Sequence, residues 1–542
     1  MKAKLLFSLL VGGALSLSAQ GFKDGVEYYR ADQPEEAKII LTNTLNAAGT
    51  DQATAYYYLG QIDLKNGDKA AAKANFDKGI AANAENGYNY VGLGALELAN
   101  GNASAASDYF KDAKKFGKKD ADLLTEVARA YFVADPVKYN KEVNKWLADA
   151  KKAVKNAPAP AILEGDRLAG TNVGDAAGWY EMAAQFDTKL EHPEAYVKYA
   201  RVYFPVNPTY AIDKLKALLE AQPNSALAQR ELAEKYYDNN QLTMAAEQYE
   251  KYILNPNHFK KDKQRLVGLM FFAKRYPESY NLASEILREE PDNHFMQRLQ
   301  FYNKKALGEN EAAKAAAETL FANAGAQINS QDYIQYGELL QDMGSDTAAV
   351  EMYEKAVALS PDKTSLLKDL SGAYSSAKMY DKAADTMAKF IDSEGENANP
   401  NDVLGLARRY QNLAISYMET DSVASLAAAD KALATINKVI EKISDNPLVL
   451  NTKSDILRVK ARGVITPEVI AADEVTLGVL DSDPANLEKR KNIYRAIYTR
   501  MGNYYLTNKD TDKAKEYFEK FYQIEPSEEL RTFIDGLGTP AK

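Results

Sequence analysis

An interval of 34 residues governs this sequence. Leu59-Gly60 recurs as Leu93-Gly94, and Ala72 and Phe76 recur as Ala106 and Phe110. Far along the chain, Gly337 and Ala349 align with Ser371 and Ala383 at the same interval. A fixed period of this size means one supersecondary unit stacked many times. Each unit packs on its neighbours, so 542 residues fit one architecture without one oversized core. Such an array presents a long continuous surface, which suits binding better than bond-making.

The residue types explain the unit. Small Gly and Ala belong where two helices cross closely, and Tyr, Leu and Phe fill the space around the crossing at helical spacing. Asn66-Gly67 and Asn100-Gly101 end a first helix and turn the chain, because Gly accepts positive φ. Pro361 and Pro526 close a second helix. The best copies read Tyr56, Leu59, Gly60, Gly67, Ala72, Phe76, then Tyr90, Leu93, Gly94, Gly101, Ala106, Phe110, Ala113, and later a nearly complete Tyr333, Gly337, Leu340, Gly344, Ala349, Tyr353, Ala356, Pro361. Weaker copies open at Asp24-Gly25 with Tyr28, Ala37 and Leu41, and continue through Ala233, Tyr236, Ala245, Tyr249 and Pro256. The pattern resembles the tetratricopeptide repeat over most of residues 22 to 537, with roughly a dozen units. That resemblance implies an all-α fold, an α-solenoid superhelix of stacked helix-turn-helix repeats.

The resemblance also implies that the first helix of each unit lines a concave groove. Residues three or four apart on those helices share a face. Tyr57, Gln61 and Leu64 fall together on that face, as do Val91 and Leu98, then Arg129 and Phe132. Arg230, Glu234 and Tyr237 do the same, and Ile334, Glu338 and Gln341 later. Mixed aromatic and polar faces suit an extended peptide or a partner helix. Tyr outnumbers Phe by 35 to 18, and packing positions account for Tyr56, Tyr90, Tyr236, Tyr374 and Tyr505 but not for Tyr57 or Tyr237.

Two regions depart from the pattern. Between Tyr131 and Trp146 the turn is extended, with Asp135-Pro136 breaking the first helix, and from Asn412 to Ile443 the helices read long. The polar stretch Ser393 to Pro400 has the composition of a linker. It reads equally as an elongated loop between repeats or as a boundary between one array over residues 21–395 and a second over 396–542, the series closing with a capping helix from Glu528 to Leu537.

The first twenty residues read as a leader. Lys2 and Lys4 precede an apolar run from Leu5 to Leu17, and Ser16 to Gln20 is a small-residue cleavage stretch. The run is short for a membrane span, so the expected product is exported and free of stable membrane insertion. No cysteine is present, which excludes disulfides, thiolate metal sites and lipid attachment at a cleavage-site cysteine. The formal charge is −9, and loss of Lys2 and Lys4 makes it −11, which disfavours nucleic acid. The periplasm of a Gram-negative bacterium, with a resemblance to envelope proteins of Bacteroidota, is the expected place.

Catalysis needs a constellation, and the sequence offers none. His192, His258 and His294 are far apart and read as surface or turn residues. No zinc, nucleophile-elbow or phosphate-loop motif occurs. Asn508, Asp510, Asp512 and Glu519 have the spacing of a calcium loop, but Lys513 stands where such a loop needs Gly, so a capped helix start is the better reading. Neither metal nor cofactor is expected. The sequence reads as a non-enzymatic protein–protein interaction scaffold of the cell envelope, with an envelope protein or peptide as partner. The alternatives are a glycan or peptidoglycan-fragment binder using the same groove, or a hydrolase site within Asn140–Asp187 or Val464–Pro484.

Overall fold

The computed structural model describes residues 21–483 and 485–537. Thirty α-helices and no strand occur among them, and 77% of these residues are helical. The stretch 1–20, expected from the sequence to be a leader, lies outside the described residues. The helices pair into hairpins at the interval set by the sequence. Gln52–Lys65 pairs with Lys69–Ala82, Gly87–Ala99 with Ala103–Gly117, and the series runs to Lys491–Thr507 with Thr511–Ile524.

Local chemistry sets the ends. Side chains at the helix starts accept from orphaned N–H groups: Asp51 from Thr54 at 3.1 Å, Asp68 from Ala71 at 2.9 Å, Asp120 from Leu123 at 3.0 Å. Proline opens the helices Pro208–Ala221, Pro400–Tyr417 and Pro447–Lys460, where its missing donor costs nothing. Inside a hairpin the chain turns through one left-handed residue. Gly67, Gly101, Gly308 and Gly344 supply it, but so do Asp32, Asn240, Lys274, Lys378 and Lys509, at φ from 56° to 64°.

The helix crossing explains the small residue of the period. A Cβ on Gly60 would lie 2.4 Å from the Phe76 ring, and one on Gly94 would lie 2.3 Å from Phe110. Gly337 meets Tyr353 and Gly502 meets Phe518 in the same way, at 2.9 and 2.7 Å. In the opening hairpin Gly25 meets Leu41 at 2.8 Å. Each ring sits where a side chain on the facing helix would have to be.

The chain divides into two compact units, the first running to Asn303 and the second starting at Lys304. The stretch from Ser393 to Pro400 lies inside the second unit. There Gly395, at φ 57°, turns the chain through a short 3-10 segment, Gly395–Asn397, and Met387 and Phe390 pack on Leu406 across it. The long helices expected after Asn412 are Pro400–Tyr417 and Ser422–Lys442, of 18 and 21 residues. The helix Glu528–Gly536 closes the series by setting Ile534 on Ala514 and Phe518. In the first unit one continuous core runs from Tyr28 to Met270.

Candidate functional site

In the first unit the faces of the first helices point at one another and at residues 24–33. Helix 21–30 and the turn after it reach partners far ahead in sequence. Ser225 Oγ donates to Glu27 at 2.9 Å, and Asn257 donates to Asp24 at 2.6 Å. Lys198 reaches Asp32 at 2.5 Å, and Arg201 donates to the Ala31 carbonyl. Gln33 bridges Glu231 and Arg230, at 2.7 and 2.9 Å. Tyr28 stands edge-on to Phe259, with ring centres 5.4 Å apart. Nearer in sequence, Arg30 donates to Tyr58 at 3.0 Å and faces Asp122 at 3.6 Å. A one-dimensional array has contacts between neighbours only; this unit closes on its own first hairpin.

Charged groups pair across these faces. Asp166 takes Arg129 at 2.5 Å and Lys198 at 2.9 Å. Burial works against the Asp166 anion, but these two cations outweigh it and hold the carboxyl down at about 2. His192 lies between Glu194, at 2.8 Å from Nδ1, and Asp122, at 3.1 Å from Nε2. Burial opposes the imidazolium, yet the two carboxylates prevail and raise the group to about 10. His192 occupies a turn, as the sequence suggests, but it is buried rather than at the surface, because both ring nitrogens are held by acids. These groups are paired with one another as ions.

The site residues named from sequence fall into three groups. Tyr57, Val91 and Leu98 are buried in the core and offer no surface. Tyr57 donates to Glu126 at 2.9 Å and packs on Tyr58 and Tyr88, whereas Tyr56 is the partly open member of the pair. Leu64 and Phe132 are partly buried against the same core. Arg129, Arg230 and Glu234 are committed to ion pairs: Arg129 to Glu126 and Asp166, Arg230 to Asp262 at 2.7 Å, Glu234 to Arg265 at 2.5 Å. Gln61 is half-buried. Tyr237 is 40% exposed, with the Arg265 guanidinium 4.6 Å from its ring centre.

The second unit is laid out differently. Ile334, Glu338 and Gln341 share one face of Ser330–Asp342 and are each partly open. Lys305 reaches Glu338, and Tyr353 donates to Gln341 at 3.1 Å. Further on, Arg500 forks onto the buried Asp473 at 2.8 and 2.6 Å and also reaches Asp455 and Asn451. The sequence reading missed this cluster. Asp510 caps the helix Thr511–Ile524 through the Lys513 N–H, and Glu519 binds Arg531, so those oxygens already serve the fold. No group of three His, Asp or Glu side chains suited to a metal occurs among the described residues, and no helix among them is long and apolar enough to cross a membrane.

Three segments of the chain match the tetratricopeptide repeat family model: residues 53–86, 333–363 and 496–528. No curated protein matches the chain. Among solved structures, the C-terminal part of a TPR repeat-containing protein from Cytophaga hutchinsonii aligns over 51% of this chain and 100% of its own, at 17% identity and a TM-score of 0.41. A tetratricopeptide repeat protein from Parabacteroides merdae aligns over 53% and 97%, at 15% identity and a TM-score of 0.26.

Proposed function

We propose that this array of tetratricopeptide repeats is a non-enzymatic scaffold of the bacterial cell envelope, exported to the periplasm, that holds a protein or peptide partner on its first-helix faces. The observation that carries the reading is the unequal state of those faces. In the first unit most of them are committed to residues 24–33 and to one another, with Gln61 and Tyr237 partly open. In the second unit Ile334, Glu338 and Gln341 remain partly open on one helix face. Side chains that mix an aliphatic contact with hydrogen-bonding groups are what an extended peptide or a partner helix needs. The leader-like first twenty residues support export.

The test is capture in intact cells. A photoreactive residue at Gln341 crosslinks a specific envelope protein, and Glu338→Lys with Ile334→Ala weakens that capture. Recovery of saccharide alone would favour the glycan reading. Recovery of the chain in the cytoplasmic fraction with its leader uncut would overturn the envelope placement.

A further inference from the structure

Helix 21–30 is seated firmly at its edges and poorly at its centre. The Glu27 side chain is 3% exposed. One oxygen accepts from Ser225 Oγ at 2.9 Å, while Oε1 has no hydrogen-bond partner. Lys23 Nζ stands 3.6 Å from Oε1, beyond hydrogen-bond reach, and is 46% exposed. The remaining charges around this carboxyl oppose its ionisation: Asp24 on the same helix and Glu194 on the helix Glu194–Tyr203. Farther along the helix, Tyr28 faces Arg230 and Tyr252, and Arg30 faces Asp122 and Glu194. Burial first, then Asp24, pushes the Glu27 carboxyl up to about 8.

We propose that helix 21–30 is a releasable clasp, seated on the first unit while Glu27 is a neutral acid and lifted when that carboxyl ionises. The seated form shelters a carboxyl whose anion has one donor, Ser225, and a half-exposed Lys23 beyond hydrogen-bond reach as its nearby cation. Lifting returns it to water, where it ionises at the ordinary 4.5. Linkage then sets the direction. Between the ordinary and the seated value, each pH unit shifts the equilibrium up to tenfold toward the lifted form. The contacts Lys198 to Asp32 and Lys261 to Glu36 lie outside the helix and hold the chain just beyond it, whereas lifting gives up the Asn257 to Asp24 bond on the helix itself. Beneath it lie Arg201, Glu231, Arg129 and Asp166, a wall of alternating charge on successive first helices. The inference stands on the geometry of the first unit and does not depend on the identity of any partner.

Hydrogen exchange of the full chain tests it. Opening of residues 24–31, corrected for intrinsic exchange, is measured from pH 5.5 to 9. The parent shows opening that rises up to tenfold per pH unit and levels off near pH 8, with the amides of 365–376 unchanged. Glu27→Gln, neutral throughout, shows no such rise. Lys23→Gln is a surface change that leaves folding intact and removes the cation favouring the anion, so its plateau moves to higher pH. Equal pH dependence in parent and Glu27→Gln, an unmoved plateau in Lys23→Gln, or loss of protection in 226–238 in step with 24–31 would overturn the proposal.

Discussion

Asn257 donates to the Asp24 carboxylate at 2.6 Å across 233 residues of sequence. Together with the Ser225–Glu27, Lys198–Asp32 and Gln33–Glu231 contacts, that bond separates the first unit from an ideal solenoid, whose stability is a sum over adjacent repeats. Here the first hairpin is stabilised by repeats several periods away, so damage to either end of the closure is felt at the other.

The glycine at the helix crossing is a steric requirement, not a preference for flexibility. Gly94→Ala places a methyl 2.3 Å from the Phe110 ring. Overpacking costs up to about 3 kcal/mol and the helix gains about 1 kcal/mol from alanine, so a net loss of about 2 kcal/mol is expected. Gly372 has no atom within 4 Å of its Cβ position, so Gly372→Ala should stabilise by about 0.5–1 kcal/mol. Urea midpoints of the two variants should move in opposite directions.

The left-handed turn offers a gain. Lys378 sits at φ 58°, where a side chain costs about 1–2 kcal/mol. Lys378→Gly relieves this and gives back part through the freer unfolded chain, leaving a gain of about 0.5 kcal/mol. Thermal unfolding measures it, and Lys274→Gly should behave alike because Lys274 holds the same turn at φ 60°.

The buried ions set the acid and alkaline limits of the first unit. The folded Asp166 carboxyl lies below its ordinary value, so its contribution is present above about pH 4 and is lost as pH falls toward 2. The folded His192 value is raised, so its contribution is present below about pH 6.5 and is lost as pH rises through 10. Asp166→Asn leaves Arg129 and Lys198 without a shared counter-ion, at a cost of about 3 kcal/mol at pH 7 that shrinks as pH approaches 2. Denaturant titrations of parent and variant at pH 7 and pH 2.5 check this.

Much of the fold is legible in the sequence because the interval is written in packing residues. Gly60 with Phe76 and Gly94 with Phe110 announce the crossings, and Pro and Asp mark many helix ends. The turns at Lys274 and Lys378 are not legible, since a lysine carries no signal for positive φ and tertiary packing imposes it. The candidate site is legible only in part. Spacing along a helix puts Ile334, Glu338 and Gln341 on one face, as the structure has them. The same spacing puts Tyr57 on the inner face but cannot say that Tyr58, Tyr88 and Glu126 enclose it there. Nor does any local pattern pair Arg30 with Asp122 or Lys198 with Asp32, because those contacts depend on how the repeats curve.

The closure of the first unit on its own first hairpin is tested most directly by a double-mutant cycle between Asp24→Ala and Asn257→Ala at pH 6. A charge-assisted hydrogen bond of this kind predicts a coupling of about 1.5–3 kcal/mol between positions so far apart in sequence. Costs that add to within about 0.3 kcal/mol would mean that the two residues do not meet.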